Sequence, residues 1–375
     1  MKKYVLSIIL IISAFYLSAV EFGGSVYNNT EFSGKSSDLK LHQQNLGSLW
    51  FRVPFNQDGT SYFSTQGTYM FKKDCDAELT VNSVNLDSMK FVFGNDVLNL
   101  SIGRFDSSDF SGLIYNQVGD GISFGYEGSA VSTSLFGCYT GLLNNQFVSI
   151  IDDEAEVDEE AFYDTAAKYI VGGASISALN ILGGQVISAQ FLGTVKLEDT
   201  SYNRMYVGLS SNGSISSFIY YDLSSYLSFV SFDDEDYKMG NLTKVKISLG
   251  LDSLNSELIL NGTYASGEQG PFDAFQGFTS FTAVNSMEEP EYSGLIKTGM
   301  GISVNPYKSL VLQANGDVIF DAQEEIEYSG IQYDAEFGWQ IKSDVYLGAS
   351  ITQYFDKDVS DNDKTSVGID VLITF

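Results

Sequence analysis

Apolar and polar residues trade places at almost every step along most of this chain. Near the C-terminus Val367, Ile369, Val371, Ile373 and Phe375 share one face, and Ser366, Gly368, Asp370 and Thr374 share the other, broken only by Leu372. Ile331, Tyr333, Ala335, Phe337, Trp339 and Ile341 alternate with Gln332, Asp334, Glu336, Gly338 and Gln340. Val345, Leu347, Ala349 and Ile351 alternate with Tyr346, Gly348, Ser350 and Thr352; Val245, Ile247, Leu249 and Leu251 with Lys244, Lys246, Ser248 and Gly250. Leu310, Leu312, Ala314 and Val318 lie opposite Gln313, Asn315 and Asp317. Successive side chains of a strand point to opposite faces, so each segment predicts a strand with one apolar and one polar side.

The segments are about ten residues long, which matches a tilted strand crossing a bilayer. They continue over the whole chain with no linker. An all-β fold follows, a transmembrane antiparallel β-barrel of about 18 strands, with 16 as the nearest alternative. The strands are expected near 21–32, 46–55, 60–71, 78–93, 97–105, 119–127, 129–140, 166–179, 184–195, 202–211, 214–232, 241–252, 256–265, 294–305, 309–320, 328–341, 345–355 and 365–375. Within 78–93 the apolar face shifts, from Leu79 and Val81 through Val84 and Leu86 to Met89, Phe91 and Phe93, which predicts a bulge or an extra hairpin at Asn85 to Ser88.

The connections sort by length. Turn-forming residues make short ones at 56–59, 94–96, 127–129, 211–213, 252–256, 305–308 and 342–344. Long ones fall at 33–45, 106–118, 141–165, 266–293 and 356–364. Barrels of this kind keep short turns in the periplasm and long loops outside, so both termini are expected in the periplasm.

The first residues stand apart. Met1-Lys2-Lys3 precedes an apolar run from Val5 to Leu17, then Ser18-Ala19. That is the layout of a cleaved export signal over 1–19, leaving a single barrel domain over 20–375. No later run is long and apolar enough for a spanning helix. The composition fits strands: 27 Phe and 23 Tyr but only 4 Pro, since Pro removes a ladder donor and aromatics form interfacial girdles. A net charge of −28 excludes nucleic-acid binding, which depends on basic residues neutralising phosphates.

The ending IDVLITF resembles the C-terminal strand of bacterial outer-membrane barrels of the porin type, with Ile369, Val371, Ile373 and the terminal Phe375 in the family's alternating pattern. FGNDVLNLSIGRF, 93–105, is similar to a porin strand–turn–strand that ends in Gly-Arg-aromatic before a long loop. The resemblance implies an outer-membrane channel for passive diffusion of small hydrophilic solutes. It implies contact with outer-membrane lipid and recognition of Ile369, Val371, Ile373 and Phe375 by the barrel-assembly machinery, a contact like β-augmentation. It leaves open a homotrimer, a substrate-specific transporter, and a surface adhesin whose long loops bind a partner.

If the apolar faces meet lipid, Arg52, Lys90, Lys244, Lys246, Lys297, Glu257, Asp317, Asp334, Glu336 and Asp370 are the candidates for lining a pore. Their charges nearly balance. Acidic residues crowd the outer loops instead: Asp152, Asp153, Glu154, Glu156, Asp158, Glu159, Glu160 and Asp164 in one connection, with smaller clusters at Asp233–Asp236, Glu288, Glu289 and Glu291, and Glu324, Glu325 and Glu327. Such mouths concentrate cations and predict a cation-preferring channel. A lumen of this width is too wide for side chains alone to fill, and 106–118 (Asp106, Asp109, Tyr115) and 141–165 are the candidates for loops folded into it.

Other chemistry is sparse. Asp356, Asp358, Asp361 and Asp363 lack the Gly and closing Glu of a calcium loop. Cys75 and Cys138 leave a disulfide open. The single His, His42, is expected in a surface loop, and no nucleophile, zinc or phosphate motif is present. No enzyme activity, cofactor or resident metal is expected.

Overall fold

The computed structural model describes residues 20–35, 38–74, 79–151, 161–181, 183–197, 203–231, 237–251, 255–268, 271–279, 293–357 and 363–375. They form one 18-stranded antiparallel sheet. The strands are β1 (Glu21–Lys35), β2 (Asp38–Pro54), β3 (Tyr62–Asp74), β4 (Leu79–Gly94), β5 (Leu98–Ser108), β6 (Asn116–Glu127), β7 (Val131–Tyr139), β8 (Tyr169–Ile181) and β9 (Gln185–Lys196). They continue as β10 (Asn203–Ser216), β11 (Ile219–Ser231), β12 (Lys238–Leu251), β13 (Ser256–Ala265), β14 (Leu295–Tyr307), β15 (Leu310–Asp321), β16 (Glu327–Lys342), β17 (Val345–Asp356) and β18 (Lys364–Thr374).

Each strand pairs with its sequence neighbours, and β1 pairs with β18 from Ser25–Thr374 to Lys35–Lys364, closing the barrel with no free edge. Closure continues past the last strand residue. The Gly24 and Phe375 backbones exchange hydrogen bonds of 2.9 and 3.0 Å. A Cβ on Gly24 would come within 2.8 Å of the Ser48 carbonyl oxygen and 2.6 Å of the Phe375 ring, so the two ends of the barrel meet closely at this glycine.

The alternation becomes an inside and an outside. Val245, Leu260, Met300, Ile302, Leu312, Ile351 and Ile369 are exposed on the outer wall, while their strand neighbours face in. Aromatics gather toward the turn end of this wall, where Phe51, Phe63 and Phe91 follow one another at 5.8 and 4.8 Å. A second group, Phe320–Tyr328 at 6.0 Å and Tyr333–Phe355 at 6.2 Å, lies toward the loop end.

Four expectations are corrected. The long connection at 33–45 is not a loop, because β1 and β2 stay paired to Lys35–Asp38. These residues carry no clean apolar face, so the alternation that marks the other strands is missing from them. His42 therefore lies on β2, with Nδ1 2.5 Å from Oδ1 of Asp74 on β3. Asn212-Gly213 is not a turn: Asn212 pairs with Asp222 and Gly213 with Tyr221, and the reversal comes at 217–218. The 106–118 connection is shorter than expected, spanning 109–115 between β5 and β6. Of the two alternatives for the face shift in β4, the bulge holds: Gln66 pairs with Ser88 and Gly67 with Leu86, leaving Asp87 extra.

Candidate functional site: the lumen and the loops folded into it

The inner wall begins as a polar surface. Lys244 and Lys246 on β12 lie in register with Ser224 and Asp222 on β11 and with Thr263 and Asn261 on β13. Lys297 and Asp317 are both buried, with Nζ 3.3 Å from Oδ2. Asp334 accepts from the Thr352 hydroxyl at 2.8 Å and from Gln332 Nε2 at 3.1 Å. Asp370 accepts from the Tyr27 hydroxyl at 2.5 Å and from Asn29 Nδ2 at 2.8 Å. Glu336 and Asp370 share a cleft with Gln313, Tyr346 and Ser350. Glu257 and Lys90 sit half-buried on β13 and β4. Arg52 is at the turn end, donating to the Gly59 carbonyl at 2.8 Å and stacking 4.0 Å over Tyr62.

Three loops turn inward and narrow this lumen. The first, 109–115, is organised by Asp109, whose carboxylate accepts the backbone N–H of Ile114 at 2.9 Å and of Tyr115 at 2.8 Å, together with the Ser111 hydroxyl. Phe110 N–H then docks on Gln190 Oε1 of β9 at 3.0 Å and the Tyr226 hydroxyl of β11 at 3.1 Å. Burial pushes the Tyr115 phenol well above its ordinary pKa, so it stays a neutral hydroxyl. The second loop joins β7 to β8, and the third joins β13 to β14. They meet at an isolated bridge between Ile150 and Thr279, while Phe278 N–H reaches the Ile114 carbonyl of the first loop at 3.1 Å.

Phe278 is the centre of the assembly. It is fully buried, 5.8 Å from the Tyr115 ring and edge-on to Tyr169 at 5.1 Å. Arg204 of β10 holds it from the wall, donating to the Gly277 carbonyl at 2.6 Å and the Ile151 carbonyl at 2.9 Å, with its guanidinium 5.6 Å from the Phe278 ring. Two of these loops were expected to fold in. The third, with Phe275 and Phe278, was not, and neither was Arg204. The one sequence signal for Arg204 is its place on the polar face of a strand whose Val207 and Leu209 face out.

Of the acidic mouth residues, only Asp164 is described, bonded to Asn145 Nδ2 at 3.3 Å. Asp152, Asp153, Glu154, Glu156, Asp158, Glu159 and Glu160 lie outside the described residues, as do Asp233–Asp236, Glu288, Glu289 and Glu291. Glu324 and Glu325 are exposed, and Glu327 pairs with Lys357 at 2.9 Å. Among the described residues no group of His, Cys, Asp and Glu could hold a metal. Asp363 instead accepts the Asp356 N–H at 3.0 Å. Cys138 is a buried free thiol 3.3 Å from the Tyr115 hydroxyl, and Cys75 lies outside the described residues. Ile369 and Ile373 are exposed on the outer wall, and Phe375 is exposed at its edge.

A closed 18-strand barrel with a polar interior and inward-folded loops is the architecture of outer-membrane channel folds. No family model matches this sequence, and no curated protein matches it. Solved structures do match in fold. Pseudomonas aeruginosa OccK5 (OpdH) superposes with a TM-score of 0.69 at 11% identity, covering 96% of this chain and 99% of that one. Pseudomonas aeruginosa OccK2 (OpdF), solved in complex with glucuronate, gives 0.68 at 11% identity, covering 96% and 98%. Pseudomonas aeruginosa OpdK with vanillate gives 0.65 at 10% identity, covering 95% and 98%.

Proposed function

We propose that this chain is an outer-membrane, porin-like channel through which small hydrophilic solutes diffuse. The observation that carries this reading is the inner wall: polar and charged side chains line a lumen that, among the described residues, three loops narrow from the side of β8 to β12. On β16, β18, β1 and β2 the inward Glu31, Gln44, Asp334, Glu336 and Asp370 are not buried, whereas Gln332 and Tyr354, nearer the loop end of β16 and β17, are. The exposed apolar outer band supports a lipid-covered wall, since an uncovered surface of that size is an association hazard in water. Export through a cleaved 1–19 segment, and reading of the last strand by the assembly machinery, complete the proposal. Reconstitution of refolded barrel in planar bilayers tests it: stepwise conductance is expected, and folded protein that never conducts refutes it.

Cation preference is a part of the same proposal, supported by the −28 net charge and by Asp334, Glu336 and Asp370 on the open wall. Reversal potentials in a salt gradient should carry the cation sign. A substrate-specific transporter is the second reading. A packed, multi-loop constriction favours it over a plain wide pore. The fold neighbours solved with vanillate and glucuronate hold carboxylates, and Lys244 and Lys246 would offer this chain's lumen cations for such a group. Saturable uptake of one solute would separate this reading from passive diffusion.

A further inference from the structure

β3 pairs with β4 all the way from Val92 to Leu79, but β4 and β5 pair only from Gly94–Asn99 to Met89–Arg104. Beyond that rung the two strands part. Beside this last Met89–Arg104 rung lies Gly103, which holds φ +123°, and a Cβ on it would lie 2.1 Å from the Met89 carbonyl oxygen. Only glycine takes this conformation, so the parting is written into the sequence.

The β4 edge left facing the seam is covered by the β7–β8 loop and by one arginine. Val84 N–H donates to the Phe162 carbonyl at 3.3 Å, and Asn144 Nδ2 donates to the Val84 carbonyl at 2.8 Å. The same Nδ2 lies 2.7 Å from Ser83 Oγ, which donates in turn to the Phe162 carbonyl at 3.1 Å. Asn144 and Ser83 are fully buried. Arg104 bridges the remaining gap. It donates to the Leu86 and Leu142 carbonyls, both at 2.8 Å, and grips Asp120 at 2.6 and 3.0 Å. Thus 142–144 and 161–163 substitute for a missing stretch of wall.

The same loop then runs inward. Ser149 N–H reaches Gln117 Oε1 at 3.0 Å, Ile150 bridges Thr279, and Ile151 N–H donates to the Phe278 carbonyl at 2.9 Å. One short segment is therefore anchored in the wall at Asn144 and in the constriction at Ile151. The Asn144 side-chain amide ties the limb that runs on to Ile151 to β4, beside the Val84–Phe162 backbone bond and the Arg104–Leu142 bond, and a single substitution removes that tie.

We propose that Asn144 is a positioning residue for the constriction: it latches the β7–β8 loop into the seam between β4 and β5, and its release loosens the Ile151–Phe278 contact and widens the passage. The proposal rests on the channel reading for its conductance consequence but not for its structural one. The test uses the full-length barrel with Cys75→Ser and Cys138→Ser as parent. Adding Asn144→Ala should speed hydrogen exchange at the Ile151 and Phe278 amides on the order of tenfold, raise conductance and admit larger polyethylene glycols, with heat-modifiable gel mobility kept. Ser83→Cys with Asn144→Cys, bridged by a short bis-methanethiosulfonate, should restore parental exchange and conductance, and reductant should undo both. Parental exchange in folded Asn144→Ala, or a bridge without effect, overturns the latch. A parent that never conducts overturns the channel reading instead, while the exchange result still decides the latch.

Discussion

The two sides of the lumen are built from the same alternating strands, yet they end in different states. On β8 to β12, Tyr169, Val171, Leu192, Tyr206, Tyr226 and Leu242 point inward and are buried to 2% exposure or less. On β16, β18, β1 and β2, the inward Asp334, Glu336, Asp370, Tyr27, Asn29, Glu31 and Gln44 stay accessible. The difference is the loops. Those at 109–115, 145–151 and 271–279 lean on the first wall and cover it with Leu113, Ile114, Phe275 and Phe278. The strands of the first wall answer with aromatic and aliphatic residues on what is elsewhere a polar face. The lesson is that the inner face of a wide barrel has two solvents, water and its own loops, and its side chains record which one they meet.

If that contrast is right, the largest effect should come from emptying the covered side. Phe278→Ala deletes the ring that Tyr115, Tyr169 and Arg204 surround. A buried Phe lost this way costs about 3–5 kcal/mol of local packing. The barrel ladders are untouched, so gel mobility should remain heat-modifiable while single-channel conductance rises and becomes noisy. Unchanged conductance would mean that the loops do not limit the passage.

A somewhat smaller effect separates two carboxylates that the sequence makes alike. Asp317 pairs with Lys297, and both are buried beside Leu295 and Ile319 at the edge of the loop cluster. Asp317→Ala leaves a buried ammonium without that partner and should cost about 3 kcal/mol. Asp334→Ala, on the accessible wall, loses only hydrogen bonds from Thr352 and Gln332 and should cost about 1 kcal/mol. The temperature at which each variant loses its compact gel mobility measures both, and equal losses would erase the distinction between the walls.

That distinction is where the sequence stops being readable. Strand identity is legible because the outer wall is apolar at every second residue, and β13 reads at its true limits, 256–265. Where the outer wall is no longer apolar the rule lapses. The extensions of β1 and β2 to Lys35 and Asp38 carry mixed faces and look like loop. Asn212-Gly213 carries turn chemistry, but its ladder partners Asp222 and Tyr221 override it. Asp109 is legible only as part of a connection that is a candidate to fold into the lumen. The roles of Asn144, Arg204 and Phe278 are not legible, because they depend on partners such as Ser83 and Gly277 that lie far away in the chain.

The smallest expected effect probes the accessible wall by charge alone. Asp370→Asn keeps an acceptor oxygen for the Tyr27 hydroxyl and Asn29 amide, so the local geometry should survive while one negative charge goes. In a salt gradient the reversal potential should move slightly toward zero. The field of one carboxylate reaches about 8 Å at physiological ionic strength and about 3 Å at 1 M salt. The shift should therefore fade as salt is raised, because a solute crossing a wide lumen passes outside the shorter range. A shift of undiminished size at high salt would mean that Asp370 acts by holding Tyr27 and Asn29 in place, and the accessible wall would then owe its selectivity to shape rather than to charge.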